Sequence, residues 1–336
     1  MSWKNTKQNS FADSLVVEHK SLSELDDVHN IINWNEIEQT LSNLYSSVRG
    51  APSYPPLMMF KILILQAWYG LSDEALEKQI ARDLMFRRFI DLSLSESVPD
   101  HSSIWHFRQL LNTEKLLEPL LEQINTHLEQ NSIIVSLGSI NIIDATVIEA
   151  KQCRKRKGKN GNNTQDKEAG YNVKTAADGK KKTTYGFKMH ANTDEDGFVK
   201  KMTYTPGNVH DSKEFDKLLD ISKSKTCGQV FADSAYANKN NNEKLGKENN
   251  KILHRAYRNK PLTKEQKQEN KQRSSIRYIV ERTFGLLKLH HGLGKARYLG
   301  LERNKARAQL IAISHNLKTG MNIFKRMRNL RDCCIQ

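Results

Sequence analysis

Apolar residues recur along this chain at two different spacings, and the change falls near Ile133. From about Ile31 to Gln130 they return every three or four positions, the period of one face of an α-helix. Leu76, Ile80 and Leu84 make one such stripe, and Ile104, Phe107, Leu110 and Leu111 another. The punctuation agrees with the period. Pro55 and Pro56 stand at a helix start, where proline is tolerated. Gly70 ends that helix, Ser72 caps the next with Asp73 and Glu74 in its first turn, and Asp100 or Ser102 caps a later one. Residues 57–69 are the most apolar stretch, but Lys61 and Gln66 interrupt them. The stretch falls short of the roughly 20 residues a membrane span needs, so it reads as a buried helix.

Beyond Ile133 the apolar runs become short and β-branched. Residues 139–143, 183–191, 198–205 and 229–232 read as strands, and 251–254 as a short fifth. Asp194-Glu195-Asp196-Gly197 reads as a solvated hairpin turn in spite of its carboxylates. Ser212 caps a helix, and from about Thr263 the chain is again helical and basic. This order predicts an α/β or α+β layered domain with a mixed sheet flanked by helices, preceded by an all-helical domain. The expected boundaries are 1–130 for the helical domain, 131–325 for the sheet domain and 326–336 for a tail. Residues 151–182 are low in complexity and rich in Lys, Asn and Gly, the composition of a solvated loop that orders on a phosphate backbone.

Charge sharpens this picture. Fifty-three Lys and Arg stand against 38 Asp and Glu, a formal charge of +15, which favours a polyanionic partner. Arg154-Lys155-Arg156-Lys157 is the densest basic run. Arg82, Arg87, Arg88 and Arg108 lie in the helical part, mixed with acids. That region fits either a helix-turn-helix on DNA or a plain bundle. The four cysteines form no Cys-x-x-Cys pair and no zinc spacing, which suits reduced thiols in a cytoplasm. The first nine residues lack the apolar core of a signal peptide. A cytoplasmic protein with no membrane partner is expected.

Three acidic residues carry the candidate chemistry. Asp144 and Asp233 each close an apolar run, Ile142-Ile143 and Val230-Phe231-Ala232. On a helix through residues 276–289, Arg277, Glu281 and Lys288 fall within about 40° of one another at 100° per residue. Ile276, Val280, Phe284 and Leu287 form the adjacent apolar stripe that packs. Taken singly, each aspartate suits a turn or cap, and Arg277 with Glu281 suits a surface ion pair. Together, three carboxylates make an oxygen site for magnesium, which stabilises the charge built up during attack on a phosphodiester. Arg277 as a fork and Lys288 as a point charge suit phosphate.

These residues, in this order and with separations of 89 and 48 positions, resemble the DDE transposases of bacterial insertion sequences. Ile142-Ile143-Asp144-Ala145-Thr146 is similar to the first acidic motif, and Phe231-Ala232-Asp233-Ser234-Ala235-Tyr236 to the second. Arg277, Glu281 and Lys288 match the Tyr-Arg-Glu-Lys signature, whose Tyr position holds Ser274 here. Residues 99–103, 206–212 and 297–304 are also similar to family stretches.

The resemblance implies a ribonuclease-H-like sheet of five strands. It implies that Asp144, Asp233 and Glu281 are catalytic and hold two magnesium ions, with manganese as a substitute. It further implies binding of terminal inverted repeats and target DNA, strand cleavage and transfer, and at least a homodimer on DNA. The N-terminal helices and Arg154 to Lys157 would contact DNA. His190, in a Gly-Phe-Lys-x-His stretch, is either a positioning residue or a structural histidine. A non-catalytic DNA-binding relative and a structure-selective nuclease are the rival readings.

Overall fold

The computed structural model describes residues 4, 10–44, 52–134, 140–150, 166–175, 179–219, 228–257 and 260–335, with side chains except at 175 and 331–335. Arg154, Lys155, Arg156 and Lys157 lie outside the described residues. By contact the chain divides into two compact units, Met1–Val135 with Gln309–Gln336, and Ser136–Ala308.

The first unit holds α1 (Phe11–Ser14), α2 (Asp27–Ile31), α3 (Trp34–Leu41), α4 (Pro56–Tyr69), α5 (Asp73–Arg82), α6 (Leu84–Phe89), α7 (His101–Thr113) and α8 (Leu117–Gln130). Helix α4 is buried from Pro56 through Gln66, as its apolar run requires. Gly70 ends it at a left-handed φ of 64°. Ser72 and Asp100 cap α5 and α7, accepting the Ala75 and Ser103 N–H groups at 3.1 and 2.7 Å.

Arginines weighed for DNA contact are bound inside this unit. Arg108 is buried against the Asp73 carboxylate and the Gln66 amide oxygen. Arg87 donates to the Ile80 and Ser93 carbonyls at 3.1 and 2.8 Å. Arg88 pairs with Glu18 at 3.0 Å and Asp26 at 2.7 Å. Arg88 and Arg108 find their acids at positions distant in sequence, Glu18, Asp26 and Asp73, whereas Arg87 is held by backbone carbonyls.

The second unit is built on β1 (Ile140–Glu149), β2 (Gly170–Thr175), β3 (Lys181–Thr193), β4 (Val199–Pro206) and β5 (Gln229–Ala232). The sheet runs β2-β3-β1-β5, with β4 also paired to β3. Among the described strands β1 and β5 run parallel and the other pairings are antiparallel, so the sheet is mixed. Helices α9 (Phe215–Leu218), α10 (Lys239–Asn249) and α11 (Lys264–His290) accompany it. Ile143, Phe215, Leu218, Val230, Ala232 and Tyr236 share one core with Leu245 and Ile252. Helix α11 buries Arg277, Val280, Thr283, Phe284 and Leu287, the face its apolar stripe predicts. The turn after β3 also holds α11 in place. Gly197 there has φ 91°, and Thr283 donates to its carbonyl at 3.2 Å.

Three strand expectations change. Strand β1 does not close at Asp144 but runs on to Glu149, because Thr146, Val147 and Ile148 continue the β-branched run against β3. Residues 170–175, placed in the solvated loop by composition, form β2, and Lys181 and Lys182 begin β3. Residues 251–254 are not a strand. Lys251 and Leu253 donate to Val230 and Ala232 of β5, but the His254 N–H turns to the Asn270 side chain at 2.8 Å. The fifth strand of the sheet is therefore β2.

Helix α12 (Leu301–Ile335) carries the chain from the second unit to the first. Ser314 donates to the Ile64 carbonyl at 3.3 Å, Asn316 to Asn125 at 2.7 Å and Arg328 to Asp27 at 2.7 Å. Residues 309–325, grouped by pattern with the sheet domain, cluster by contact with the helices. No change of polarity near 308 marks that transfer, since Ala308, Ile311, Ile313 and Leu317 are all buried.

Candidate active site

The parallel pairing of β1 and β5 sets Ile142 beside Phe231 and Ile143 beside Ala232. The next residues in line on the two strands are Asp144 and Asp233. Two carboxylates from distant parts of the chain thus meet at the point where β5 stops. Asp233 caps the short turn Ser234–Tyr236, accepting the Ser234 N–H at 2.7 Å. Asp144 accepts the Ala145 N–H at 2.9 Å. Helix α11 packs on β1 and brings Arg277 and Glu281, one turn apart, to the same place.

The three acids gather on one guanidinium. Arg277 Nη2 lies 3.1 Å from Asp144 Oδ2 and 3.5 Å from Glu281 Oε1, and Nη1 lies 4.0 Å from Asp233 Oδ1. Asp144 and Glu281 oxygens are therefore separated by no more than the sum of their distances to one nitrogen. Side-chain exposure grades from 11% at Arg277 and 19% at Asp144 to 46% at Asp233 and 54% at Glu281. The site thus has a buried floor and an open rim. Burial raises the Asp144 pKa, Arg277 opposes it and the Asp233 charge adds to it.

Three carboxylates against one guanidinium leave an excess of negative charge. Among the described residues no three acid, histidine or cysteine side chains stand at ligand distances from a common point. The arginine is what sits between these carboxylates. Their chemistry still suits a hard divalent cation: all donors are oxygens, few in number, and two of the three reach solvent, where a magnesium ion keeps its waters.

The remaining predicted residues are spread more widely. Lys288 lies two turns beyond Glu281 on α11, roughly 10 Å along the axis. It is half-buried, and burial together with the Lys174 charge lowers its pKa. His190 pairs across the sheet with Ala145, one residue out of phase with Asp144, so alternation turns it to the opposite face. Its Nε2 lies 2.9 Å from Thr205 Oγ1, and its Nδ1 lies 3.9 Å from Asp211. Burial pushes its pKa down to about 4, so the ring is neutral at pH 7. Ser274, at the signature's Tyr position, is exposed, and Tyr278 one turn on is exposed as well.

Two nearby residues were not assigned a role from sequence. Tyr236 lies under the site, its hydroxyl has no hydrogen-bond partner among the described residues, and burial first, then the Asp144 and Asp233 charges, raises its pKa. Its place three residues after Asp233 was the available signal. Lys174 was hidden in a stretch read only by composition.

The fold and the acidic site fit an enzyme of metal-dependent phosphoryl transfer, and comparison with known proteins gives the family. The family described as "Transposase DDE domain" matches residues 136–317, and "Transposase domain (DUF772)" matches residues 13–110. The chain belongs to the DDE transposase family of insertion sequences. It is 32% identical over 229 residues to the transposase for insertion sequence element IS1106 of Neisseria meningitidis serogroup B, covering 64% of this chain and 77% of that protein. No solved structure matches. Enzymes of this family act on DNA and use divalent metal ions. Among the described residues no helix is long and apolar enough to cross a membrane.

Proposed function

We propose that this transposase binds the terminal inverted repeats of its element, cuts one strand at each end, and joins the freed 3′-hydroxyl to target DNA. Asp144, Asp233 and Glu281 hold two magnesium ions, with manganese as a substitute. The observation that carries this reading is the meeting of the three carboxylates on Arg277, with more negative charge than that arginine balances. Bound divalent ions supply the charge stabilisation that in-line attack on a phosphodiester needs.

The chain's own residues orient the DNA. Arg277 presents a fork to a phosphate beside the cut, and Lys288 a point charge further along α11. His190 steadies β3, the strand beside Asp144, through its contact with Thr205 on β4. The helices of residues 1–130 and the run Arg154, Lys155, Arg156 and Lys157 bind the element ends. Two ends must be held together, so the working form is a homodimer or larger on DNA, in the cytoplasm at the nucleoid.

The test is to incubate the purified chain with an end-labelled duplex carrying one element end, with and without magnesium, and to map the cut. Magnesium-dependent nicking at the element boundary is expected. Nicking without added metal in the presence of a chelator, or no preference for the boundary, would overturn the reading.

A further inference from the structure

Strand β3 leaves the body of the sheet at its start. Strands β1 and β4 pair with it only along residues 186–193, whereas β2 pairs with residues 181–186. Five residue pairs, Tyr171 with Tyr185 through Thr175 with Lys181, thus form a two-stranded ribbon, roughly 17 Å long. Residues 176–178, between its strands, lie outside the described residues. The two faces of the ribbon differ. Tyr171 and Tyr185 are directly paired on one face, with ring centroids 4.8 Å apart, which stiffens it. On the other face Lys174 and Lys182 are directly opposite each other, and both are exposed. Neither forms an ion pair with an acid among the described residues.

Like charges placed directly across a pair of strands work against the pairing. A lysine on an edge strand also guards it against unwanted pairing, a role that needs no second lysine facing the first. The couple also does not stand alone. Lys174 is near enough for its charge to act on Lys288, beside the opposing Glu149 carboxylate, so the ribbon's lysines lie toward α11, the helix that carries Arg277 and Glu281. A polyanion laid along this surface would relieve the repulsion, and a two-stranded ribbon has the width that the major groove of B-DNA admits.

We propose that the β2–β3 ribbon is a duplex-holding arm, on which Lys174 and Lys182 bind backbone phosphates of the DNA that runs away from the cut past Lys288. This inference rests on the DNA-cutting reading and adds to it a contact surface and the kind of contact. The contacts are to phosphate, so they carry no sequence information.

The test uses the full chain and two fluorescent duplexes, one carrying an element end and one scrambled, titrated over a range of salt. Lys182→Glu sets opposite charges across the ribbon. It is expected to raise the melting temperature and yet weaken binding to both duplexes by the same factor. Joint substitution Lys174→Ala and Lys182→Ala is expected to flatten the log–log salt dependence by about 1.8, at about 0.9 per lost phosphate contact. Unchanged affinity and slope would overturn the proposal. So would a loss confined to the element-end duplex, which means base reading, or a lowered melting temperature that tracks the lost affinity, which means a structural role. If the unsubstituted chain binds neither duplex, the DNA-cutting reading itself fails.

Discussion

Arg108 in the helical unit and Arg277 in the sheet unit both have little solvent contact, with side chains 2% and 11% exposed. Their neighbours separate them. Arg108 meets the Asp73 carboxylate and the Gln66 amide oxygen, so its charge is met within the helical unit. Arg277 meets three carboxylates and is outnumbered. A matched buried pair fixes helices to one another and has nothing left to bind. An outnumbered arginine marks a place where more positive charge is wanted. Burial alone would have given the two arginines the same role, whereas charge balance tells scaffold from site.

The comparison breaks most visibly at Asp144. Asp144→Asn is expected to lower single-turnover nicking by about a thousandfold or more, since metal ligation contributes several kcal/mol at 1.36 kcal/mol per tenfold. End binding should remain measurable by gel shift. Near-normal nicking would mean that the excess charge at Arg277 has no catalytic part.

Arg108→Met should act in the opposite sense. It leaves Asp73 without its cation and lowers stability by about 3 kcal/mol, the low end for a broken buried pair because Asp73 keeps 20% exposure. Denaturant titration would show this, while nicking per folded molecule stays unchanged. A loss of nicking with stability intact would erase the distinction between the two arginines. Lys288→Ala is a smaller perturbation of the sheet unit. It is expected to flatten the salt dependence of DNA binding by about 0.9 in log–log slope, and an unchanged slope would remove Lys288 from the phosphate contacts.

A pH-dependent effect on stability alone is expected at Asp194, in the turn that holds α11. Burial raises its pKa to about 6 from 3.8, against the Phe198 and Asp196 N–H groups. The folded chain therefore binds a proton more tightly there than the unfolded chain. Its contribution favours folding below about pH 4 and is lost as pH rises to about 6. Asp194→Asn should accordingly raise the melting temperature at pH 7 relative to the parent, and the gain should shrink toward pH 4. A gain that does not depend on pH would show that Asp194 is not the titrating group.

What could be read from the sequence was local. The caps Ser72 and Asp100, the Gly70 stop and the buried face of α11 each depend on residues within a turn or two, and all are present. The three acids could be named because each sits in a short pattern of its own. That Asp144 and Asp233 stand side by side follows from a parallel register between strands 89 positions apart, which no local pattern encodes. The partners of Arg88 and Arg108 are likewise distant, so mixed charge in that region fits a helix-turn-helix on DNA as well as a plain bundle. Strand β2 was masked by its Lys- and Asn-rich surroundings, and it exists because β3 is long enough to pair with it beyond the sheet.

Manganese binding followed by electron paramagnetic resonance, on the full chain bound to an element-end duplex, tests most directly whether the acids around Arg277 are there for cations. Two manganese ions are expected to bind and to be displaced by magnesium, and Asp233→Asn should lose at least one of them. Equal manganese binding by the parent and by a chain carrying both Asp144→Asn and Asp233→Asn would contradict the account.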